Sequence, residues 1–451
     1  MTSDVRRSRR RFLAGLAAAG GASLAGCSAL SWIEDTGSAF TAADAADVIT
    51  DATPEIEWPV PAVPTSDAID DGLERVDTLL ADVPDPIEAE TVPNGVVRQS
   101  IGDRRNEARD RREEAAAATG DDRYRALRTT REARDAARAA ATTLDAIDAE
   151  TGPIVADLRE ERDAVRSSVR DRLESTAYRG ADTSDERLRA ALFYSRRESD
   201  LRSASNGLDS HQWDVDASAT VIDIGDGAGA LEFGTATTAV WDHLENRHAE
   251  RTDDATDLTT VFDTTLEASA ERVESVDVPD WTTDDWLEDV VDEDLDQRLE
   301  QVLWRAFDPV SGARDGLNEA IANGNRGIGL YEAVRFEAQY RAFERVRGRI
   351  DDGTLAVPES IDDIRAERTA AIEAAASARA AVTGPSIGAH VLAETLRSLE
   401  WTDERVRRAA DNDPGVSVSL LTEYGDYARS RARLEALPDA VEAFRERLRS
   451  A

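Results

Sequence analysis

The strongest constraint on the fold is the spacing of small and apolar side chains between residues 126 and 147. They recur in steps of four and three, at Ala126, Thr130, Ala133, Ala137, Ala140, Leu144 and Ile147. This spacing places them on one face of an α-helix, and it is typical of a coiled-coil seam whose alanines let neighbouring helices approach closely. Comparable stripes recur from residue 235 to the C-terminal region. The sequence therefore predicts an all-α protein.

Changes in pattern divide the chain into five segments. Residues 1–26 are predicted to be a targeting segment, and residues 27–65 an acidic tether that its prolines make semi-rigid. We expect residues 66–208 to form an elongated antiparallel helical or coiled-coil arm, and residues 235–451 a helical bundle. Between them, residues 209–234 first alternate in polarity and then become rich in glycine. That pattern predicts an irregular insertion or, at most, one short β-hairpin.

The N-terminal residues have the three-part order of a processed signal. Five arginines precede a short apolar stretch from Phe12 to Ala25, and small residues follow up to Cys27. A helix needs about 20 apolar residues to span a bilayer. The stretch is therefore too short for a membrane span and is better explained as an export signal.

Two motifs within this segment resemble known export signals. Ser8-Arg9-Arg10-Arg11-Phe12-Leu13 resembles the twin-arginine signal, which it matches at Arg9, Arg10, Phe12 and Leu13. Leu24-Ala25-Gly26-Cys27 resembles the lipobox of lipoproteins. The resemblance implies export by the twin-arginine translocase, cleavage before Cys27, and a lipid on Cys27 that holds the protein at the outer face of the cytoplasmic membrane. An uncleaved anchor, or cleavage elsewhere, is the alternative.

The charge composition indicates the solvent in which the protein works. The chain has 92 acidic residues and 54 basic ones, all of them arginine, for a formal net charge of −38. Removal of residues 1–26, with five arginines and one aspartate, would take this to −42. Self-repulsion opposes a compact state in ordinary buffer, whereas molar salt shortens the screening length to about 3 Å. We therefore expect a protein of a halophilic archaeon; an acidic surface for cations or basic partners is the alternative.

Nucleic acid is excluded as a partner by the distribution of charge. Residues 101–200 are rich in arginine, but they hold 23 acids against 21 arginines. Nucleic-acid binding needs net positive charge to release counterions. This region therefore predicts a surface covered by ion pairs.

One motif points to a cofactor. Val221-Ile222-Asp223-Ile224-Gly225-Asp226-Gly227-Ala228-Gly229 resembles the glycine-rich first motif of S-adenosylmethionine-dependent methyltransferases. The resemblance implies a strand, a glycine turn and that cofactor. A doubly wound domain would continue with alternating strands and helices, but the next two hundred residues have helical patterns. We therefore expect a glycine turn and no cofactor.

Metal binding is the second possibility that the sequence raises. Gly388-Ala389-His390 followed by Glu394 resembles the Gly-x-His-x-x-Glu signature of imelysin-like helical lipoproteins, with the glutamate one residue late. The resemblance implies His390 and Glu394 as metal ligands. His243 and His248 are five residues apart, about 140° around a helix, and do not share a face. The acidic stretch from Asp284 to Asp296 lacks the glycine of a calcium loop and predicts a solvated helix face.

These observations favour a non-enzymatic protein. The only cysteine of the chain is the predicted lipid site, so the sequence offers no free thiol as a nucleophile. We expect a membrane-anchored surface lipoprotein that acts as a scaffold or binding module, with a surface partner or self-association through the helical arm. The alternative is a ligand- or metal-capturing lipoprotein that serves a transporter.

Replacing Arg9 and Arg10 by lysine should block export, because the twin-arginine resemblance rests on that pair. Fractionation of cells that express the variant should find the precursor inside the cell. A matched exchange of Arg6 and Arg7, which lie outside the motif, should leave export intact. Continued export of the Arg9 and Arg10 variant would instead indicate the general secretory route.

Overall fold

The computed structural model describes residues 40–209, 213, 215, 216, 218–252, 254–276, 278, 279, 290 and 295–451. Within these residues the chain forms thirteen helices and two antiparallel pairs of two-residue strands, so the predicted all-α fold is confirmed. The helices of this part of the chain are all too short or too polar to cross a lipid bilayer.

The helices and strands have the following bounds. The first six helices are α1 (Ala42–Ala46), α2 (Ser66–Leu80), α3 (Gly95–Ala116), α4 (Asp122–Asp145), α5 (Thr151–Glu174) and α6 (Ser184–Gly207). The others are α7 (Val221–Arg251), α8 (Thr259–Ser275), α9 (Gln297–Ala322), α10 (Arg326–Asp351), α11 (Ile361–Ala381), α12 (Ile387–Ala410) and α13 (Leu421–Ser450). Strand β1 (Phe40–Thr41) pairs with β4 (Ser417–Val418), and β2 (Arg179–Gly180) pairs with β3 (Thr256–Asp257).

The predicted seam is a packing face of α4. Its members from Ala126 to Ala140 are buried, and helices α2, α3 and α7 all pack against α4. The seam is therefore occupied by helices of the same chain. Because its alanines are already covered, this face is not open for self-association.

The prediction for residues 209–234 is wrong from Val221 onward. Helix α7 begins there, with Thr220 as its N-cap: the Thr220 hydroxyl accepts from the Asp223 amide at 3.2 Å, and the Thr220 amide donates to the Asp223 carboxylate at 2.8 Å. The motif that resembles a methyltransferase loop is thus neither a strand nor a glycine turn. It is the first two turns of a 31-residue helix.

The glycines of α7 allow close approach to α4. A Cβ atom on Gly225 would lie 1.8 Å from the Thr143 hydroxyl and 2.7 Å from the Ala139 carbonyl oxygen. One turn later, a Cβ on Gly229 would lie 2.9 Å from the Asp135 carbonyl oxygen. Real Cβ atoms do not approach other atoms so closely. Glycine is required here by contact between two helix backbones, which explains why a turn was the wrong interpretation.

The predicted tether is also wrong for residues 40–65. Residues 47–65, named here the strap, have no helix or strand, yet arginine side chains of α6, α7 and α11 donate to their backbone carbonyls. The pairs are Arg365 to Asp47 (2.8 Å), Arg368 to Asp51 (2.9 Å), Arg379 to Glu55, Arg189 to Pro61 (3.0 Å) and Arg247 to Val63 (3.3 Å). These bonds fasten the strap to the helices. Residues 27–39 lie outside the described part of the chain.

Helix α6 joins the predicted arm to the predicted bundle. Its residues Phe193 and Tyr194 belong to the same hydrophobic core as residues of α8–α13. The buried carboxylate of Glu198 accepts from the backbone amides of Gly327 (3.0 Å) and Ile328 (2.9 Å) at the start of α10. These amides lack partners within their own helix, and Glu198 satisfies them. The two predicted halves therefore share one core.

Gly225→Ala should destabilise the protein by about 1–3 kcal/mol, because the added methyl group would overlap α4 and force the helices apart. The matched control is Gly102→Ala in the interior of α3, where a Cβ atom meets nothing within 4 Å. That change should stabilise by about 0.5–1 kcal/mol through helix propensity. Denaturant unfolding in molar salt measures both. Equal effects of the two substitutions would contradict the packing role of Gly225.

Candidate functional site

A cluster of buried and half-buried polar side chains lies where helices α6, α10, α12 and α13 meet. Each helix contributes residues on the face that it turns toward the other three. The cluster, named here the arginine junction, consists of Arg196, Tyr331, Arg335, His390, Glu394 and Arg433. Tyr331 with Arg335, and His390 with Glu394, are four residues apart, so each pair lies on one face of its helix.

Glu394 is at the centre of the arginine junction. The Tyr331 hydroxyl lies 2.8 Å from both of its carboxylate oxygens. Burial, together with the charge of Glu394, raises the pKa of Tyr331 well above its ordinary value, so the hydroxyl keeps its proton and donates. The Arg433 Nη2 atom lies 3.8 Å from Glu394 Oε2, beyond hydrogen-bond distance. Glu394 is therefore held in place by a neutral donor and faces a cation.

His390 is buried and neutral. Its Nε2 atom lies 3.3 Å from Arg196 Nη1 and 3.6 Å from Glu394 Oε1. Because a guanidinium can only donate, Nε2 accepts and the ring proton is on Nδ1. Burial, and then the charges of Arg196 and Arg128, lower the pKa of His390 to about 3. The ring centroid of Trp58, from the strap, lies 5.3 Å from that of His390, with the two rings tilted by 51°.

The predicted metal pair is brought together, but its surroundings fit a metal ion poorly. His390 and Glu394 share a face, as the spacing predicts. Metal sites in proteins usually need three or four ligands, and in the described part of the chain no group of three His, Cys, Asp or Glu residues gathers. Arg196 and Arg433 instead supply two positive charges beside the pair. These guanidinium groups would oppose a bound cation.

Arg433 has an unused hydrogen-bonding edge. Its side chain is only 12% exposed, yet its Nε and Nη2 atoms have no hydrogen-bond acceptor among the described residues. Burial lowers the pKa of Arg433, and the charge of Glu394 offsets that effect only in part. Sequence reasoning missed this residue because it is one of 54 arginines with no distinctive local pattern.

A buried ion pair between α11 and α12 holds the strap. Arg368 donates to both carboxylate oxygens of Asp403, at 2.9 and 2.8 Å, and both side chains are almost fully buried. The hydroxyls of Tyr427 (2.7 Å) and Thr53 (2.6 Å) also donate to Asp403. Burial alone would raise the pKa of Asp403, but these bonds bring it below its ordinary value. Because Thr53 belongs to the strap, Asp403 fastens it to α12.

The remaining predicted sites are explained by structure or lie outside it. His243 accepts from the Thr65 amide at 3.2 Å, and the buried His248 bonds the Arg179 carbonyl oxygen at 2.9 Å. Most of the stretch from Asp284 to Asp296 lies outside the described residues, although Asp296 itself caps α9. Also outside them are Cys27, the export-signal residues Arg9, Arg10, Phe12 and Leu13, and the lipobox residues Leu24, Ala25 and Gly26.

Two family models match the chain. Residues 67–254 match a domain of unknown function, DUF8262, and residues 259–446 match a second domain of unknown function, DUF8264. No curated protein and no solved structure matches the chain. The two matches meet between α7 and α8. Arg196 lies in the first matched region and the rest of the arginine junction in the second, so the junction spans both regions.

His390 should make the protein less stable as the pH falls. Its pKa is about 3 when folded, against an ordinary value of 6.5. Between these values the unfolded chain binds a proton that the folded protein excludes, so the free energy of unfolding drops by about 1.4 kcal/mol per pH unit. Above pH 6.5 this contribution does not change with pH.

In His390→Gln that part of the pH dependence should disappear. Unfolding measured from pH 7 to pH 4.5 at constant salt compares the slopes of the two proteins. Parallel slopes would show that His390 titrates normally and that it is not excluded from water. The difference in slope is the readout, so a constant loss of stability in the variant does not affect the test.

Proposed function

We propose that this protein is an exported, lipid-anchored binding module on the surface of a halophilic archaeon, without enzymatic activity. The observation that carries the binding role is the arginine junction. Four helices hold its side chains in fixed positions, and the Nε and Nη2 atoms of Arg433 have no acceptor among the described residues. A group that is fixed in place and able to donate hydrogen bonds suits the capture of a ligand.

The environment of His390 favours binding over catalysis. A general base needs a free lone pair and a pKa near the working pH. The Nε2 lone pair of His390 already accepts from Arg196, and its pKa is about 3. Proton transfer at this site is therefore disfavoured.

Ligand capture is favoured over a scaffold formed by the helical arm. The seam from Ala126 to Ala140 is buried within the chain, which removes the main reason to expect self-association. A captured ligand could be passed to a transporter. A metal as that ligand is disfavoured by the charges of Arg196 and Arg433 beside His390 and Glu394.

Cys27→Ser should release the protein from the membrane, because the proposal places the attachment at the lipid on Cys27. Membrane and soluble fractions of cells grown in molar salt, probed with an antibody, measure the change. Ser28→Ala, one residue past the lipobox, is the matched control and should stay anchored. If Cys27→Ser stays in the membrane fraction as an uncleaved precursor, the targeting segment is itself the anchor and the lipid proposal fails.

A further inference from the structure

We propose that a cavity between helices α10, α11 and α13 binds a neutral polyhydroxyl compound of about the size of a monosaccharide. The cavity has a volume of about 390 Å³ and opens to solvent, and the loop of residues 352–360 forms one of its walls. Its lining includes Arg349, Val357, Pro358, Glu367, Tyr424 and Arg431. The site is separate from the arginine junction. The inference therefore goes beyond the proposed function and holds whether or not the junction captures a ligand.

Tyr424 gives the cavity a hydrogen-bonding group that the protein itself does not use. The residue is only 5% exposed, and its hydroxyl has no hydrogen-bond partner among the described residues. Solvent reaches the hydroxyl oxygen, in contrast to that of Tyr124, which is closed off from solvent. Burial, and then the charge of Glu367, raise the pKa of Tyr424 to about 12, so the hydroxyl keeps its proton and can donate. A buried tyrosine usually has a partner for its hydroxyl, and a ligand in the cavity would supply one.

Further donors and acceptors line the same cavity. Arg349 donates to both carboxylate oxygens of Glu367, at 2.8 and 2.7 Å, and Arg431 Nη1 lies 3.4 Å from Glu367 Oε2. Each carboxylate oxygen has two lone pairs, so Glu367 Oε1 can accept one more hydrogen bond. Arg431 uses its Nε atom for Glu435, at 2.8 Å, which leaves the Nη2 atom as a donor for a ligand. Hydroxyl groups both donate and accept, so a ligand with several hydroxyls matches this mixture.

The charges around the cavity favour a neutral ligand. The buried carboxylate of Glu367 is already paired with two arginines. Asp363 accepts from the amide and the hydroxyl of Ser360, at 2.8 and 3.0 Å, and the bond from the amide is the main reason that its pKa lies below its ordinary value. The third acid, Glu359, is an exposed residue. A charged ligand would compete with these ion pairs, whereas a neutral one leaves them in place.

The rest of the lining is mainly apolar. Ala356, Val357 and Pro358 come from the loop, and Ala366 comes from α11. Small-molecule sites in proteins combine apolar walls with a few fixed polar groups, in cavities of about 300–1,000 Å³. A sugar ring carries C–H groups as well as hydroxyls, so it fits both kinds of wall.

The test is a sugar titration of the full-length protein, purified in detergent with constant molar sodium chloride. Glucose, galactose and mannose are added separately, and binding is followed by calorimetry and thermal unfolding. We expect at least one of the three to bind at one saturable site per chain and to raise the melting temperature. Sugars also stabilise proteins through exclusion from the surface, but that effect does not saturate.

Charged analogues test the neutral class of ligand. Glucosamine carries an ammonium group and glucuronate a carboxylate on the same kind of ring. Each should bind at least about threefold more weakly than the best neutral sugar, because its charge competes with the ion pairs of the cavity. Tighter binding of either analogue would overturn the choice of a neutral ligand.

Tyr424→Phe should weaken sugar binding by about three- to tenfold, the loss expected for one uncharged hydrogen bond. Folding should be unaffected, because the hydroxyl has no partner among the described residues. The matched control is Tyr124→Phe, which removes another hydroxyl without a partner from a buried tyrosine, in α4, and should leave binding unchanged. Ala366→Leu, at an exposed position of α11, fills part of the cavity and should weaken binding by at least about tenfold.

The proposal is overturned if none of the three neutral sugars binds saturably, which would mean that the cavity holds only solvent. It is also overturned if either Tyr424→Phe or Ala366→Leu binds sugar as tightly as the parent protein, which would place the sugar elsewhere on the molecule. Neither result depends on the export signal or on the arginine junction. Failure of this inference is therefore distinguishable from failure of the proposed function.

Discussion

The fold depends on carboxylates that are buried in the core and form ion pairs with arginines from separate helices. Glu232 of α7 pairs with Arg75 of α2 and with Arg134 of α4. Glu337 of α10 similarly pairs with Arg272 of α8 and Arg447 of α13. Removing one partner of such a pair costs about 3–5 kcal/mol, because an uncompensated charge is left behind. Each carboxylate thus fixes the position of two or three helices at once.

Arginine is suited to this role at high salt concentration. Salt screens exposed charges strongly but buried pairs much less. The ion pairs of Glu232 therefore persist at salt concentrations that weaken surface ion pairs. Burial would raise the pKa of Glu232, yet the bonds from Arg75 and Arg134 hold it at about 2. The planar guanidinium also offers donors in two directions at once. Arg368 shows this, because it binds Asp403 and the carbonyl of Asp51 together.

Helical periodicity predicted most of the fold, and its failures have a common cause. Helix α2 begins at Ser66, the first residue of the predicted helical arm. The prediction for Val221–Gly234 was wrong because glycines in the local sequence are typical of a turn. In the structure, Gly225 instead allows contact with Thr143 and Ala139, which lie far away in the sequence. The prediction of a tether was wrong for the strap for the same reason, because the arginines that bind its carbonyls lie more than a hundred residues away in the sequence.

The candidate site was predictable only in part. The spacing of His390 and Glu394 correctly predicted a shared face, because that depends on one helix alone. The arginines that surround His390 and Glu394 come from α6, α10 and α13. The periodicity of α12 alone cannot predict which residues of other helices lie nearby. The net charge of the chain did not reveal these arginines either, because a sum over 451 residues does not show one local cluster of positive charge.

The strap determines how a pull on the N-terminal end would travel through the protein. Tension at Phe40 first meets two residues of strand pairing with β4, and it then reaches the carbonyls of Asp47 and Asp51 in chain order. The buried bonds of Asp403 resist next, and Trp58 follows them along the chain. Tension from this end therefore reaches the ring beside His390 only after these bonds have broken, while the carbonyls of Pro61 and Val63 still hold the rest of the strap.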